Sequence, residues 1–171
     1  SRHCQKVANT STVPIPMLLV GSSAVGKTSL LARCVHGVFH EVTDATVSAA
    51  FTSKVIKGDD GCKHKLQVWD TAGADVYRSI SASYIRRSKV VIVCGDVTKR
   101  ETLREIQEWI KRINLYGGSK VPRIIVGNKC DLVDQRQWGK EDVLALNLNP
   151  QPLYFDVSAL DNAAVDEMFL C

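Results

Sequence analysis

Gly21-Ser22-Ser23-Ala24-Val25-Gly26-Lys27-Thr28 is the stretch on which the reading of this chain turns. It is a G-x-x-x-x-G-K-T pattern directly after the apolar run Ile15 to Val20, which reads as a buried strand. In such a loop the glycines let the backbone wrap an anion, so that successive N–H groups point at its oxygens. The helix that follows adds its positive N-terminal end. Lys27 offers a point charge to β- and γ-phosphates, and the Thr28 hydroxyl is a candidate Mg²⁺ ligand. At average residue usage the pattern arises by chance in roughly 0.5% of chains this long. Its place between a strand and a helix lowers that further. Phosphate binding is therefore the expectation for Gly21, Ser23, Ala24, Val25, Gly26, Lys27, Thr28 and Ser29.

Three further motifs follow in order. Asp70-Thr71-Ala72-Gly73 closes the strand Leu66-Gln67-Val68-Trp69, which brings the Asp70 carboxylate to the sheet edge where ligands sit. A hard cation wants oxygen ligands there, directly or through water. Gly73 leaves a bare backbone N–H for a γ-phosphate. Alone, Asp-x-x-Gly is a turn; its distance from Gly21 makes it a metal and phosphate sensor. Asn128-Lys129-Cys130-Asp131 follows the strand Ile124-Ile125-Val126. A fixed carboxylate at Asp131 can accept both N1–H and the 2-amino group of guanine, a donor pair adenine lacks. A site built around such a partner rejects the analogue without it by roughly 10⁴-fold. A polar loop after a strand is the plainer alternative for this motif. Ser158-Ala159-Leu160 is the fourth. Together they describe a pocket for GTP with Mg²⁺.

Around these motifs, apolar runs alternate with helical patterns. Thr28 to Val38 reads as a helix with Leu30, Leu31, Cys34, Val35 and Val38 on one face and Gly37 near its stop. Phe51 to Ile56 and Lys65 to Trp69 flank Lys57-Gly58-Asp59-Asp60-Gly61, a hairpin signal. Lys89 to Gly95 is apolar on both faces, as a central parallel strand should be. Thr98 with Glu101 suggests a capping box opening a helix that turns Leu103, Ile106, Ile110 and Ile113 inward and ends at Gly117-Gly118. Arg123 to Gly127 and Leu153 to Val157 are further strands, with a helix around Lys140 to Leu146. The expected class is α/β: a P-loop NTPase G domain with a six-stranded, mostly parallel sheet, one antiparallel hairpin strand, and helices on both faces. Residues 1–13 read as a flexible leader or tag remnant and 14–171 as the domain. The last helix, from near Asn162, has room for about two to three turns, which suggests truncation.

The chain has 171 residues, 45% hydrophobic and 23% charged, with a net charge of +4, an ordinary single-domain composition. The densest basic patch, Arg86-Arg87-Ser88-Lys89, reads as a solvated helix end, which argues against nucleic acid as a partner. Cys4, Cys34, Cys62, Cys94, Cys130 and Cys171 include no C-x-x-C pair; Cys34 and Cys94 read as core residues in a reducing compartment. His36 and His40 lack the Glu of a zinc-protease helix. No run approaches a membrane span of about 18 apolar residues.

On these residues the chain resembles the Ras superfamily of small GTPases, and within it the Rab branch, over about Ile15 to Leu170. The resemblance implies a monomeric switch that hydrolyses GTP to GDP and phosphate and regulates vesicle-mediated membrane traffic. It adds Thr46 as the switch threonine reaching Mg²⁺ and the γ-phosphate, and Phe39 packing on the guanine edge. Catalytic roles fall to Lys27, Thr46 and Gly73, and the metal to Thr28, Thr46 and Asp70. Phe51, Trp69 and Tyr84 match an aromatic triad on which effectors dock, and Tyr77-Arg78-Ser79-Ile80 resembles the second switch. Exchange factors and activating proteins would use the same region, Thr46 and Tyr77 included. Ordinary sheet and helix packing also accounts for three aromatics. The implied location is cytoplasmic, with peripheral endomembrane attachment only through a prenylated tail. Cys171 offers neither a C-a-a-X box nor a terminal cysteine pair, so the chain as written is expected to be soluble.

Two positions depart from the family pattern. Leu160 stands where Lys is usual, and Ala74 stands where a Gln orients the attacking water. A methyl group cannot position water, and positioning is most of what a protein contributes to phosphoryl transfer. Slow hydrolysis is therefore expected, with a hydrolysis-deficient, GTP-loaded scaffold as the alternative. A P-loop kinase or ATPase is the third reading, opposed by the guanine motif.

Overall fold

Leu18, Leu19 and Val20 have no exposed surface at all, and they lie on the central strand of the molecule. A computed structural model of the chain describes residues 14–36, 50–58, 61–70, 78–118, 120–161 and 164–170. The expected run is strand β1, Pro14–Gly21. The hairpin appears as β2, Ala50–Lys57, and β3, Lys63–Asp70, antiparallel with Lys57 opposite Lys63. Its turn is closed by Gly58 N–H donating to the Cys62 carbonyl and Gly61 N–H to the Gly58 carbonyl, both at 2.9 Å. Strands β4, Val90–Asp96, and β5, Arg123–Asn128, are buried almost throughout, and β6, Leu153–Asp156, forms the far edge. The sheet order is β2-β3-β1-β4-β5-β6, with every pairing parallel except β2–β3.

The period-2 alternation of the strands divides the core in two. Met17, Leu19, Ile92, Cys94 and Val126 face helices α1, Lys27–His36, and α5, Val165–Leu170, meeting Leu30, Leu31, Cys34, Met168 and Phe169. Leu18, Val20, Val91, Val93 and Ile125 face the other side, toward α2, Arg78–Arg87, α3, Arg100–Gly117, and α4, Lys140–Ala145. Leu103, Ile106, Ile110 and Ile113 form the inward stripe of α3, as their spacing predicts. Arg86 and Arg87 occupy the last turn of α2.

Three local expectations are revised. The capping box at Thr98 and Glu101 is not made: α3 is capped at Lys99 without a side-chain bond. Thr98 gives both its N–H (2.9 Å) and its hydroxyl (2.6 Å) to the Asp96 carboxylate, a charged acceptor that outcompetes backbone N–H groups for the threonine. Helix α1 opens one residue earlier than expected, at Lys27. Helix α5 opens at Val165; Gly37, Val38, Asn162 and Cys171 lie outside the described residues.

Trp138 was not singled out by sequence pattern, yet it is 2% exposed and packs against Gly95 and Ile106. Its indole N–H donates to the Asp96 carbonyl at 2.7 Å, tying the segment before α4 to the end of β4. Trp138→Ala should cost about 3–5 kcal/mol in urea-induced unfolding, chiefly from the cavity it leaves.

Candidate functional site

Because β1, β3, β4, β5 and β6 run parallel, their carboxyl ends share one edge. The register places Leu19 beside Asp70, Gly21 beside Cys94, and Asp96 beside Asn128. Strand β1 feeds α1 on one face and β4 feeds α3 on the other. The connections diverge and leave a crevice at the switch point, the usual ligand position in such sheets.

The loop Ser22–Gly26 joins β1 to α1 at that edge. Gly21 has φ of 148°, and a Cβ there would lie 2.2 Å from the Cys94 carbonyl oxygen. Gly26 has φ of 96°, and its Cβ would meet the Asn128 amide nitrogen at 2.3 Å. Neither position can carry a side chain, so the loop passes close to both neighbouring strand ends. Ala24 adopts φ of 62°, a left-handed conformation rare for a residue with a Cβ. Lys27, the first residue of α1, is buried, and its Nζ donates to the carbonyls of Gly21 (3.0 Å) and Ser22 (2.7 Å). Burial holds this ammonium below its ordinary pKa, opposed by Cys94, Asp70 and Glu105. A lysine, a loop and a helix N-terminus thus converge on one anion-binding concavity.

The Thr28 hydroxyl donates to Asp70 Oδ2 at 2.5 Å. The carboxylate is 1% exposed, and Oδ1 has no hydrogen-bond partner among the described residues. Burial raises the Asp70 pKa, while the Thr28 bond and the Lys27 charge oppose the rise. An orphaned carboxylate oxygen beside a hydroxyl is a donor set that suits a hard divalent cation.

The two remaining motifs are stitched to this loop and to each other. Asn128 Nδ2 donates to the Val25 carbonyl at 2.8 Å, and Asn128 Oδ1 accepts the Ala159 N–H at 3.4 Å. Lys129, held at φ of 65°, donates through Nζ to Asp96 Oδ2 (2.6 Å) and to the Ala24 carbonyl (3.2 Å). Ser158 Oγ donates to Asp131 Oδ1 at 2.7 Å. Phe51, Trp69 and Tyr84 form a continuous stack, with ring centroids 4.8 and 4.9 Å apart, and Phe51 is 48% exposed. Phe39, Thr46, Gly73, Ala74 and Tyr77 lie outside the described residues.

Sequence reasoning missed Asp96, whose signal was an acid closing the apolar run of β4, and Arg33 on α1. Burial alone would push the Asp96 pKa up. The bonds from Lys129 and Thr98 outweigh it, and the net position is below the usual carboxylate range.

The sequence matches the Ras family over residues 16–171. It is 35% identical to "Ras-related protein Rab-30" of Homo sapiens over 154 residues, 90% of this chain and 75% of the relative. It is 36% identical to "Ras-related protein Rab-8B" of Homo sapiens over 163 residues, 95% and 78% of the two chains. Against "Ras-related protein Rab-19" of Bos taurus the identity is 36% over 155 residues, 90% and 71% of the two.

The chain belongs to the Ras family. It is a Rab-like small GTPase, a GTP-binding switch of the class that serves vesicle traffic, and it hydrolyses GTP to GDP. Among the described residues of this GTPase, no helix is long and apolar enough to cross a membrane.

Asp96→Asn in the GTPase should lower stability by about 2 kcal/mol at pH 7, the scale of a hydrogen bond to a charged group. A carboxylate whose folded pKa is depressed contributes stability above its unfolded value, near ~3.9. That contribution is lost as pH falls through the lower folded value. The gap between wild type and variant, read from urea midpoints, should therefore close below about pH 4.

Proposed function

We propose that this GTPase binds GTP and GDP through the four motifs assembled at the carboxyl edge. The observation that carries this reading is the Asn128 side chain, which joins the Val25 carbonyl of the phosphate loop to the Ala159 N–H of the last motif. Phosphate and base subsites thereby become one body. In this reading the backbone of Gly21, Ser23, Ala24, Val25 and Gly26, with Ser29, cradles the phosphates, and Lys27 exchanges its loop carbonyls for phosphate oxygens. Asp131 accepts N1–H and the 2-amino group of guanine, with its carboxylate held by Ser158. Asn128, Lys129, Ala159 and Leu160 complete the base pocket, and Phe39 covers the purine edge.

Mg²⁺ would be held by the Thr28 hydroxyl and by Asp70 through Oδ1, directly or via water, with Thr46 as a further ligand. When bound it neutralises charge on the phosphate oxygens. Thr46 and Gly73 sense the γ-phosphate, so that hydrolysis changes the surface presented to effectors, exchange factor and activating protein. The stacked Phe51, Trp69 and Tyr84 form the effector-facing aromatic surface. The GTPase works as a monomeric cytoplasmic domain over residues 14–171. It reaches endomembranes through a prenylated tail where the full protein has one.

Ala74 favours slow turnover. With a methyl in place of the water-orienting Gln, intrinsic hydrolysis should fall below the ~10⁻⁴ s⁻¹ of the Gln-bearing Ras enzyme. A GTP-loaded scaffold is the limiting case. Single-turnover hydrolysis should be faster in Ala74→Gln than in wild type; equal rates would refute the role assigned to this position. Binding itself is tested by thermal denaturation. GDP with Mg²⁺ at a hundred times its Kd should stabilise the fold by about 2.7 kcal/mol. ADP should not, and equal shifts from both would discard the guanine assignment.

A further inference from the structure

Arg33 stands on α1, roughly 9 Å along the helix axis from Lys27 by the rise per residue. Its guanidinium spans to the opposite end of the sequence. Nε donates to the Ala159 carbonyl at 2.7 Å and Nη2 to the Leu160 carbonyl at 2.6 Å. These are successive acceptors of the last base motif. The donors of the same loop are engaged elsewhere: Ala159 N–H by Asn128, and Ser158 Oγ by Asp131. The loop is therefore gripped from two sides, its carbonyls by the phosphate-binding helix and its donors by the segment after β5.

Val157, Ser158 and Ala159 are buried at the root of this loop, but the elements on either side of it are short. Strand β6 has four residues and α5 has six. The Leu160 side chain is 52% exposed, so the outer end of the loop is not held by burial. A rigid planar fork with a permanent charge suits two carbonyls in sequence, and charge-assisted bonds of this length belong to the strong class. A lysine ammonium can also reach two carbonyls, but as a point charge on a flexible stem it does not impose the fork's planar geometry on them.

We propose that Arg33 is a positioning residue for guanine recognition. It clamps Ser158–Leu160 against α1, so that Ser158 presents the Asp131 carboxylate in a single orientation toward N1–H and the 2-amino group. The proposal rests on the assignment of Asp131 to the guanine edge made above. Loss of the fork should cost purine discrimination and leave phosphate binding, at the far end of α1, in place.

The test uses R33M, which keeps the aliphatic stem, together with R33K and S158A in the full chain with Mg²⁺. The probes are GDP, inosine diphosphate (which lacks the 2-amino group) and pyrophosphate. The GDP preference over inosine diphosphate should drop about tenfold or more in R33M, the scale of one hydrogen bond to a charged group. Pyrophosphate affinity should stay unchanged, and R33K should fall between R33M and wild type. S158A should lose the same preference, and R33M added to it should remove little more, because the two act on one carboxylate. A common factor lost from all three probes would make Arg33 a purely structural residue and overturn the proposal, as would an unchanged GDP preference in R33M. If R33M does not fold, R33K carries the same comparison. A wild type indifferent between GDP and ADP would instead overturn the guanine assignment, and the role of Arg33 with it.

Discussion

One primary amide, that of Asn128, holds the functional edge of this GTPase together. Its nitrogen and oxygen face in different directions and meet two peptide groups that are far apart in sequence, Val25 and Ala159. The side chain is 2% exposed, so both ends must be satisfied within the protein. That requirement fixes the distance between the loop after β1 and the turn after β6. It also explains the bareness of Gly26, whose Cβ would occupy the space of the amide nitrogen.

A second constraint is charge. The site concentrates ionisable groups in a largely buried edge: Lys27, Asp70, Asp96 and Lys129. They do not share one fate. Asp96 has Lys129 and two bonds from Thr98, and the balance favours its anion. Among the described residues Asp70 has one hydroxyl partner and leaves Oδ1 without one, and burial prevails. Equal chemistry in unequal surroundings thus separates a carboxylate that braces the base motif from one suited to a cation. Cys94, at the same edge, is pushed up to about 12 by burial and stays an inert thiol.

The fold was legible in the sequence because the central strands are apolar on both faces and the hairpin turn is rich in Gly and Asp. Those patterns need no tertiary information. The motifs were legible for a related reason, since phosphate loops and base-reading loops demand particular residues at fixed offsets. What could not be read was the partnering of ambiguous polar residues. Thr98 has the spacing of a helix cap, and only the fold reveals a buried carboxylate competing for it. Arg33, one of several polar residues on α1, is separated from its carbonyls by 126 and 127 positions. Trp138 sits in a polar stretch without periodicity, and its burial depends on the space left by Gly95.

Trp138 also gives the protein a built-in optical gauge. It is one of three tryptophans, and its indole is bonded to the backbone of the residue whose side chain carries Lys129. Through Asp96, the surroundings of that ring are linked to the lysine of the purine-reading loop. Trp69, stacked between Phe51 and Tyr84, samples a different surface. With Trp109 on α3 replaced, the two remaining rings would report separately on the base-reading loop and on the aromatic surface.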